Sequence, residues 1–263
     1  CTTVSTPTAP ALDSHCHLDL MDLPVQQALA QARAVGVETV VQVGVDLESS
    51  RWSAQVADEH RDVWAAVALH PNEAGAGAAT DEALREIEQL AALPQVRAVG
   101  ETGLDHYRTG PEGHRAQEES FRAHIAIAKA AKAALVIHDR DAHDDVLRVL
   151  HEEGAPEHVV FHCFSGDAAM ARHCADRGWV MSFAGPLTFT ANDALRAAAA
   201  VAPLDLLLVE TDAPFLTPVP FRGRPNAPAQ VALTLRTLAE VKAVPVEQLC
   251  AAVTENGRRV LGL

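Results

Sequence analysis

Lysine is nearly absent from this chain, with three in 263 residues against thirteen histidines. Acidic residues outnumber basic ones by 35 to 21, a formal charge of −14. A chain of that sign cannot hold nucleic acid through its overall field and would need local cationic contacts. No stretch approaches the roughly 20 uninterrupted apolar residues of a membrane-spanning helix, because Arg, Asp or Lys breaks even the alanine-rich segments. No membrane partner is therefore expected. The cysteines Cys1, Cys16, Cys163, Cys174 and Cys250 are odd in number, scattered and without a C-x-x-C pair. They read as reduced residues of a cytoplasmic protein. No Gly-rich dinucleotide fingerprint or P-loop follows an apolar run, and no G-x-S-x-G elbow occurs, which disfavours nucleotide-binding open sheets and serine hydrolases. The first thirteen residues lack a basic region followed by an apolar core, so an intact signal peptide is not expected. Residues 1–10 read as a loose lead-in without function, and residues 11–263 as one domain.

Short apolar or β-branched runs alternate with longer segments of helical period. The predicted strands are Ala11 to Asp13, Thr39 to Val43, Val63 to Leu69, Val96 to Val99, Ala134 to Ile137, Val159 to Phe161, Trp179 to Phe183 and Leu206 to Val209. The helical segments include Val25 to Val35, Asp81 to Leu90, His114 to Ala133, Asp144 to His151, Gln230 to Val241 and Pro245 to Val260. Strands apolar on both faces suit a buried parallel sheet. Eight strand–helix alternations over about 250 residues predict an α/β fold of the (β/α)8 TIM-barrel type. The Pro/Gly-rich stretch from Pro214 to Pro228 reads as a long loop after the last strand, over the face where barrel active sites form.

Histidine and carboxylate positions carry the chemistry. His60, His114, His124, His151 and His173 fall in helical stretches, where a solvated or capping role is the ordinary reading. Five others, with two carboxylates, stand at strand ends: His15 and His17 at the first, His70 at the third, Glu101 at the fourth, His138 at the fifth, His162 at the sixth and Asp212 after the eighth. In a parallel barrel these ends meet on one rim. On an extended chain residues i and i+2 point to the same side, so His15 and His17 can aim at one ion. Glu101, between two glycines, can bridge two cations with its two oxygens. Asp212 can bind one ion and accept a proton from water. Imidazoles with carboxylates suit Zn, Mn, Co, Ni or Mg without selecting among them.

The segments Asp13-Ser14-His15-Cys16-His17-Leu18-Asp19, Gly100-Glu101-Thr102-Gly103-Leu104-Asp105, Ile137-His138-Asp139-Arg140, Phe161-His162-Cys163-Phe164-Ser165-Gly166 and Glu210-Thr211-Asp212-Ala213-Pro214 together resemble the TatD family of metal-dependent hydrolases, within the amidohydrolase-like barrels. The likeness runs from about Leu12 to Val260. It implies metal-binding roles for His15, His17, Glu101, His138, His162 and Asp212, and two divalent ions, Mg, Mn or Zn. It also implies a deoxyribonuclease, acting as a 3′ to 5′ exonuclease on single-stranded DNA ends, with a place in DNA repair. Two departures bear on substrate contacts: His70-Pro71-Asn72 stands where relatives often read H-P-H, and Arg224-Pro225-Asn226-Ala227-Pro228 where they often read R-N-E-P.

Phosphotriesterase-like and dihydroorotase-like relatives bridge their metals with a modified lysine. Here Lys129 and Lys132 lie in a helix and Lys242 near the C-terminus, so Glu101 must supply the bridge. The expected reaction is phosphodiester hydrolysis by water activated between two ions roughly 3.5–4 Å apart, with Asp212 taking its proton and Glu101 completing the catalytic pair. Arg140, Arg222, Arg224 and His70 are candidate phosphate contacts, and Tyr107, the single tyrosine, can stack on a base. The alternatives are metal-dependent hydrolysis of another ester or amide, such as D-aminoacyl-tRNA, and non-catalytic metal storage, to which an aspartate poised for proton transfer would add little.

Overall fold

The computed structural model describes residues 11–263; Cys1 and the predicted lead-in lie outside the described residues. One eight-stranded sheet runs in the order β1-β2-β3-β4-β5-β6-β7-β8. The strands are β1 Ala11–Cys16, β2 Val37–Val43, β3 Val63–Val67, β4 Val96–Asp105, β5 Ala134–Arg140, β6 Val159–Phe161, β7 Val180–Phe183 and β8 Leu207–Val209. Between and after them stand helices α1 Val25–Ala34, α2 Leu47–Glu59, α3 Pro71–Gly75, α4 Asp81–Ala91, α5 Pro111–Ala131, α6 His143–Glu153, α7 Ala168–Ala175, α8 Asp193–Val201, α9 Val231–Lys242 and α10 Val246–Leu261. Among the described residues no helix is long and apolar enough to cross a membrane. Cys16, Cys174 and Cys250 are buried and Cys163 is partly so.

Two compact units emerge: residues up to Val41 together with Cys163–Leu263, and Gln42–His162. In the second unit β3, β4, β5 and β6 pair in parallel, with Ala98 opposite Ala134 and Ile137 opposite Phe161. Val99, Leu135 and Ile137 are fully buried, as expected for strands covered on both faces. Local signals set the helices. Asp46 and Ser49 form a reciprocal capping box at α2, and the Thr80 hydroxyl accepts from the Ala83 N–H ahead of Asp81 and Glu82 at α4, satisfying N–H groups that the first turn leaves open.

Four predicted strands prove longer than their apolar runs. β1 continues through His15 to Cys16, β2 begins at Val37, β4 continues through Glu101 to Asp105, and β5 through His138 to Arg140. The pairing advances from Val99 opposite Leu135 to Thr102 opposite Ile137, so β4 carries one extra residue at Gly100–Glu101. Such a bulge re-aims a side chain without ending the strand. Gly103 keeps the pairing close, because a Cβ there, at φ 138°, would stand 2.1 Å from the His138 carbonyl oxygen.

His124 corrects the reading of a solvated helix histidine. It is fully buried on α5, where Nε2 accepts the Leu69 N–H at 3.1 Å and Nδ1–H donates to the Ser120 carbonyl at 2.7 Å. The neutral ring thereby ties α5 to the turn leading into His70. Burial pushes its pKa down from 6.5 to about 4. The unfolded chain therefore binds this proton first, so stability is complete above pH 6.5 and is lost as pH falls toward 4. Relative to His124→Gln, the native protein should lose about 3 kcal/mol across that interval, measurable as a difference in urea-unfolding free energies. A pH-independent difference would contradict the buried neutral ring.

Candidate metal centre

In the first unit, β1 and the segment after β8 build one donor cluster. The Asp212 N–H donates to the His15 carbonyl at 2.9 Å and the His17 N–H to the Ala213 carbonyl at 2.8 Å, prolonging the pairing beyond β8. Asp212 takes φ 54°, a left-handed conformation that Asp tolerates better than most residues. His15 Nε2 and His17 Nε2 lie 3.3 Å apart, and Asp212 Oδ1 is 3.8 Å and 3.3 Å from them. The i, i+2 spacing thus brings both imidazoles to one point. Two imidazole nitrogens and a carboxylate oxygen this close can share a cation, since tetrahedral ligands at about 2.0–2.1 Å from an ion are themselves roughly 3.3 Å apart. A divalent ion fits these donors.

Asp13 anchors this cluster from behind. It is fully buried and accepts from the Thr211 N–H at 2.8 Å, the Thr211 hydroxyl at 2.5 Å and the His15 N–H at 3.3 Å. Burial pushes its pKa up to about 8 against the pull of those donors. Glu210, also buried, accepts the Cys163 N–H at 2.8 Å. Sequence reasoning gives neither a role, since Thr211 lies 198 residues from Asp13 and Cys163 lies 47 from Glu210.

In the second unit Glu101 is the hub. Its Oε1 lies 2.5 Å from His138 Nδ1, 3.0 Å from His162 Nε2 and 3.4 Å from His70 Nε2. Burial alone would raise this carboxyl, but the charges of His162 and His70 and the hydrogen bond from His138 outweigh it and hold Glu101 well below the usual carboxylate range. His138 Nε2–H also donates to Asp105 Oδ2 at 3.1 Å. Burial would lower the His138 pKa, yet its bonds to Asp105 and Glu101 raise it. Asp105 remains well below its ordinary pKa despite burial, through His138 and the N–H groups of Arg108 and Tyr107. With an ion present, a neutral His138 would keep Nε2–H on Asp105 and offer the Nδ1 lone pair on the side of Glu101, the usual form of an oriented metal ligand.

His70 differs. Its Nδ1 accepts the Asn72 N–H at 3.1 Å as the cap of α3, so a neutral ring carries its proton on Nε2, toward Glu101. That tautomer is a hydrogen-bond donor rather than a ligand. Asn72, one of the sequence departures, meets Asp105 Oδ2 at 3.5 Å and the Thr109 hydroxyl at 3.0 Å.

The remaining candidates sit on aromatic rings. Arg140 stacks over Tyr107 at 4.1 Å, Arg222 over Phe189 at 4.0 Å and Arg224 near Phe221 at 5.9 Å. Tyr107 is 65 % exposed. Two of the three lysines are engaged elsewhere: Lys129 Nζ donates to the Glu153 carbonyl and Lys242 Nζ to those of Ala200 and Ala202.

An α/β fold with clustered imidazoles and carboxylates at its strand ends defines a metal-dependent hydrolase. The family described as TatD related DNase matches residues 12–262, and the chain belongs to it. It is 47 % identical to an uncharacterized metal-dependent hydrolase TatD of Mycobacterium tuberculosis, over 96 % of this chain and 98 % of that one. It is 38 % identical to YabD of Bacillus subtilis, likewise an uncharacterized metal-dependent hydrolase, over 94 % and 97 %. The crystal structure of YjjV, a TatD homologue from Escherichia coli, superposes with a TM-score of 0.89 at 26 % identity, over 96 % of this chain and 98 % of that one. The barrel class read from the strand count holds.

Proposed function

We propose that this chain is a cytoplasmic, divalent-metal-dependent deoxyribonuclease that removes nucleotides from single-stranded 3′ ends by phosphodiester hydrolysis. The observation that carries this reading is, within the second unit, the cluster of Glu101, His138 and His162 beside the anion-seeking groups His70 and Arg140. His15, His17 and Asp212 would hold one ion, and Glu101, His138 and His162 a second. Such ions lower the pKa of water and neutralise phosphoryl charge.

The protein's own groups would do the rest. Asp212, 15 % exposed, would accept the proton of the attacking water. His70 Nε2–H, set by its cap on α3, would donate to a non-bridging phosphate oxygen. Arg140 at the end of β5 adds positive charge that stacking on Tyr107 leaves intact, a contact without base information. Donors of this kind favour an anionic phosphodiester over a neutral acyl ester.

The test is hydrolysis by one purified sample of single-stranded DNA, duplex DNA and D-aminoacyl-tRNA, with metals added singly after chelation. Chelation should abolish activity while the fold persists, since binding at 100 times the dissociation constant adds only about 2.7 kcal/mol per site. Readdition of Mg or Mn should restore cleavage of single strands first. Activity confined to aminoacyl-tRNA would transfer the same site to ester hydrolysis, and metal-independent cleavage would end the proposal.

A further inference from the structure

We propose that Phe215 is a stacking platform for the nucleobase beside the phosphodiester bond under attack, an inference that rests on the nuclease reading above. The chain has seven phenylalanines, of which Phe121, Phe161, Phe164 and Phe183 are buried and Phe189 and Phe221 are partly so. Phe215 is 51 % exposed, and it stands three residues after Asp212. Its ring meets that of His17 edge to face, with centroids 6.2 Å apart and planes at 66°.

The backbone beneath this ring is fixed. The Phe215 N–H donates to the Asp212 carbonyl at 2.8 Å. Asn226, 1 % exposed, donates through Nδ2 to the carbonyls of Phe215 at 2.7 Å and Thr211 at 2.9 Å, while its N–H donates to Pro214. The next residue packs directly on the segment after β7: a Cβ at Gly185 would stand 1.8 Å from the Leu216 carbonyl oxygen. The Thr217 hydroxyl closes the loop on the Arg224 carbonyl at 2.6 Å. Arg222 and Arg224 of the same loop stand over Phe189 and near Phe221.

A half-exposed aromatic ring on a pinned backbone gains little from packing in the free protein. A ligand that covers it recovers the hydrophobic contact. Leucine would serve an aliphatic ligand as well; a rigid planar face, edge-on to a metal-binding imidazole, suits a planar ligand. In a strand cut at its end that ligand is a base, and base–aromatic stacking is tolerant of sequence because every base has a π-face.

The test compares the native chain with Phe215→Leu and Phe215→Trp on single-stranded oligonucleotides carrying either a base or an abasic residue on each side of the terminal bond. Metal content is measured in every sample. The native protein should cleave the base-bearing end about tenfold or more faster in kcat/KM, within the roughly 5- to 150-fold that one stacked base supplies. Phe215→Leu should collapse that ratio toward one and Phe215→Trp restore it, all with equal metal content. A ratio unchanged in Phe215→Leu, or metal lost from that variant, overturns the platform. Anisotropy of a labelled phosphorothioate-ended oligonucleotide separates this from the nuclease reading. Binding that depends on both the base and Phe215 without any cleavage would sustain the platform and end the nuclease; binding indifferent to both, with cleavage intact, would do the reverse.

Discussion

Asp212→Asn should lower turnover by roughly 10²- to 10⁴-fold, the range that positioned acid–base groups contribute, while the protein keeps its fold and at least one bound ion. The substitution is close to isosteric, and asparagine tolerates left-handed backbone at least as well as aspartate, so the φ of 54° at this position is retained. The amide oxygen can still stand near His15 and His17, whose Nε2 atoms lie 3.8 Å and 3.3 Å from Asp212 Oδ1. What the amide cannot do is take a proton from water. Steady-state rates set against metal content decide the matter. A rate that falls only in proportion to lost metal would make Asp212 a ligand alone.

Glu101→Gln should act the other way, through occupancy. The variant replaces the buried charge that faces His138, His162 and His70 with a neutral amide whose nitrogen is a donor pointed at other donors. Bound metal should drop by one ion per chain, and activity should fall at least as far as in Asp212→Asn. The metal-free protein should also lose about 1–3 kcal/mol of stability, the cost of leaving buried polar groups unsatisfied, read from denaturant unfolding after chelation. Equal metal loss and equal rate loss in the two variants would undo the division between a proton acceptor and an ion-holding hub.

Much of this was open to reading in the amino-acid order. Eight apolar runs separated by helical segments determined the number and order of the strands, because a parallel strand buried on both faces must be apolar along its length. The positions of His15, His17, Glu101, His138, His162 and Asp212 at or beside the ends of those runs followed directly. The run lengths themselves fell short at β1 and β2 and most of all at β4 and β5. There the strand continues into Glu101, Asp105 and His138 because parallel pairing with the neighbouring strand supplies the hydrogen bonds, whatever the polarity of the side chains.

Only the tertiary structure decided which polar residues are interior and what satisfies them. His124 looks like any helix-surface histidine until Leu69, 55 residues away, is found donating to it. His70 reads as a phosphate contact by position, and the cap of α3 decides which of its nitrogens can donate. Asp13 and Thr211 meet across 198 residues, and Asn226 staples the loop that holds Phe215 in the open. The bonds of His124, Asp13 and Asn226 join groups 55, 198 and 11 residues apart, and such a bond leaves no periodicity or spacing for a sequence to display. The sequence determined where donors and apolar runs lie; the packing of distant segments determined which donors face one another.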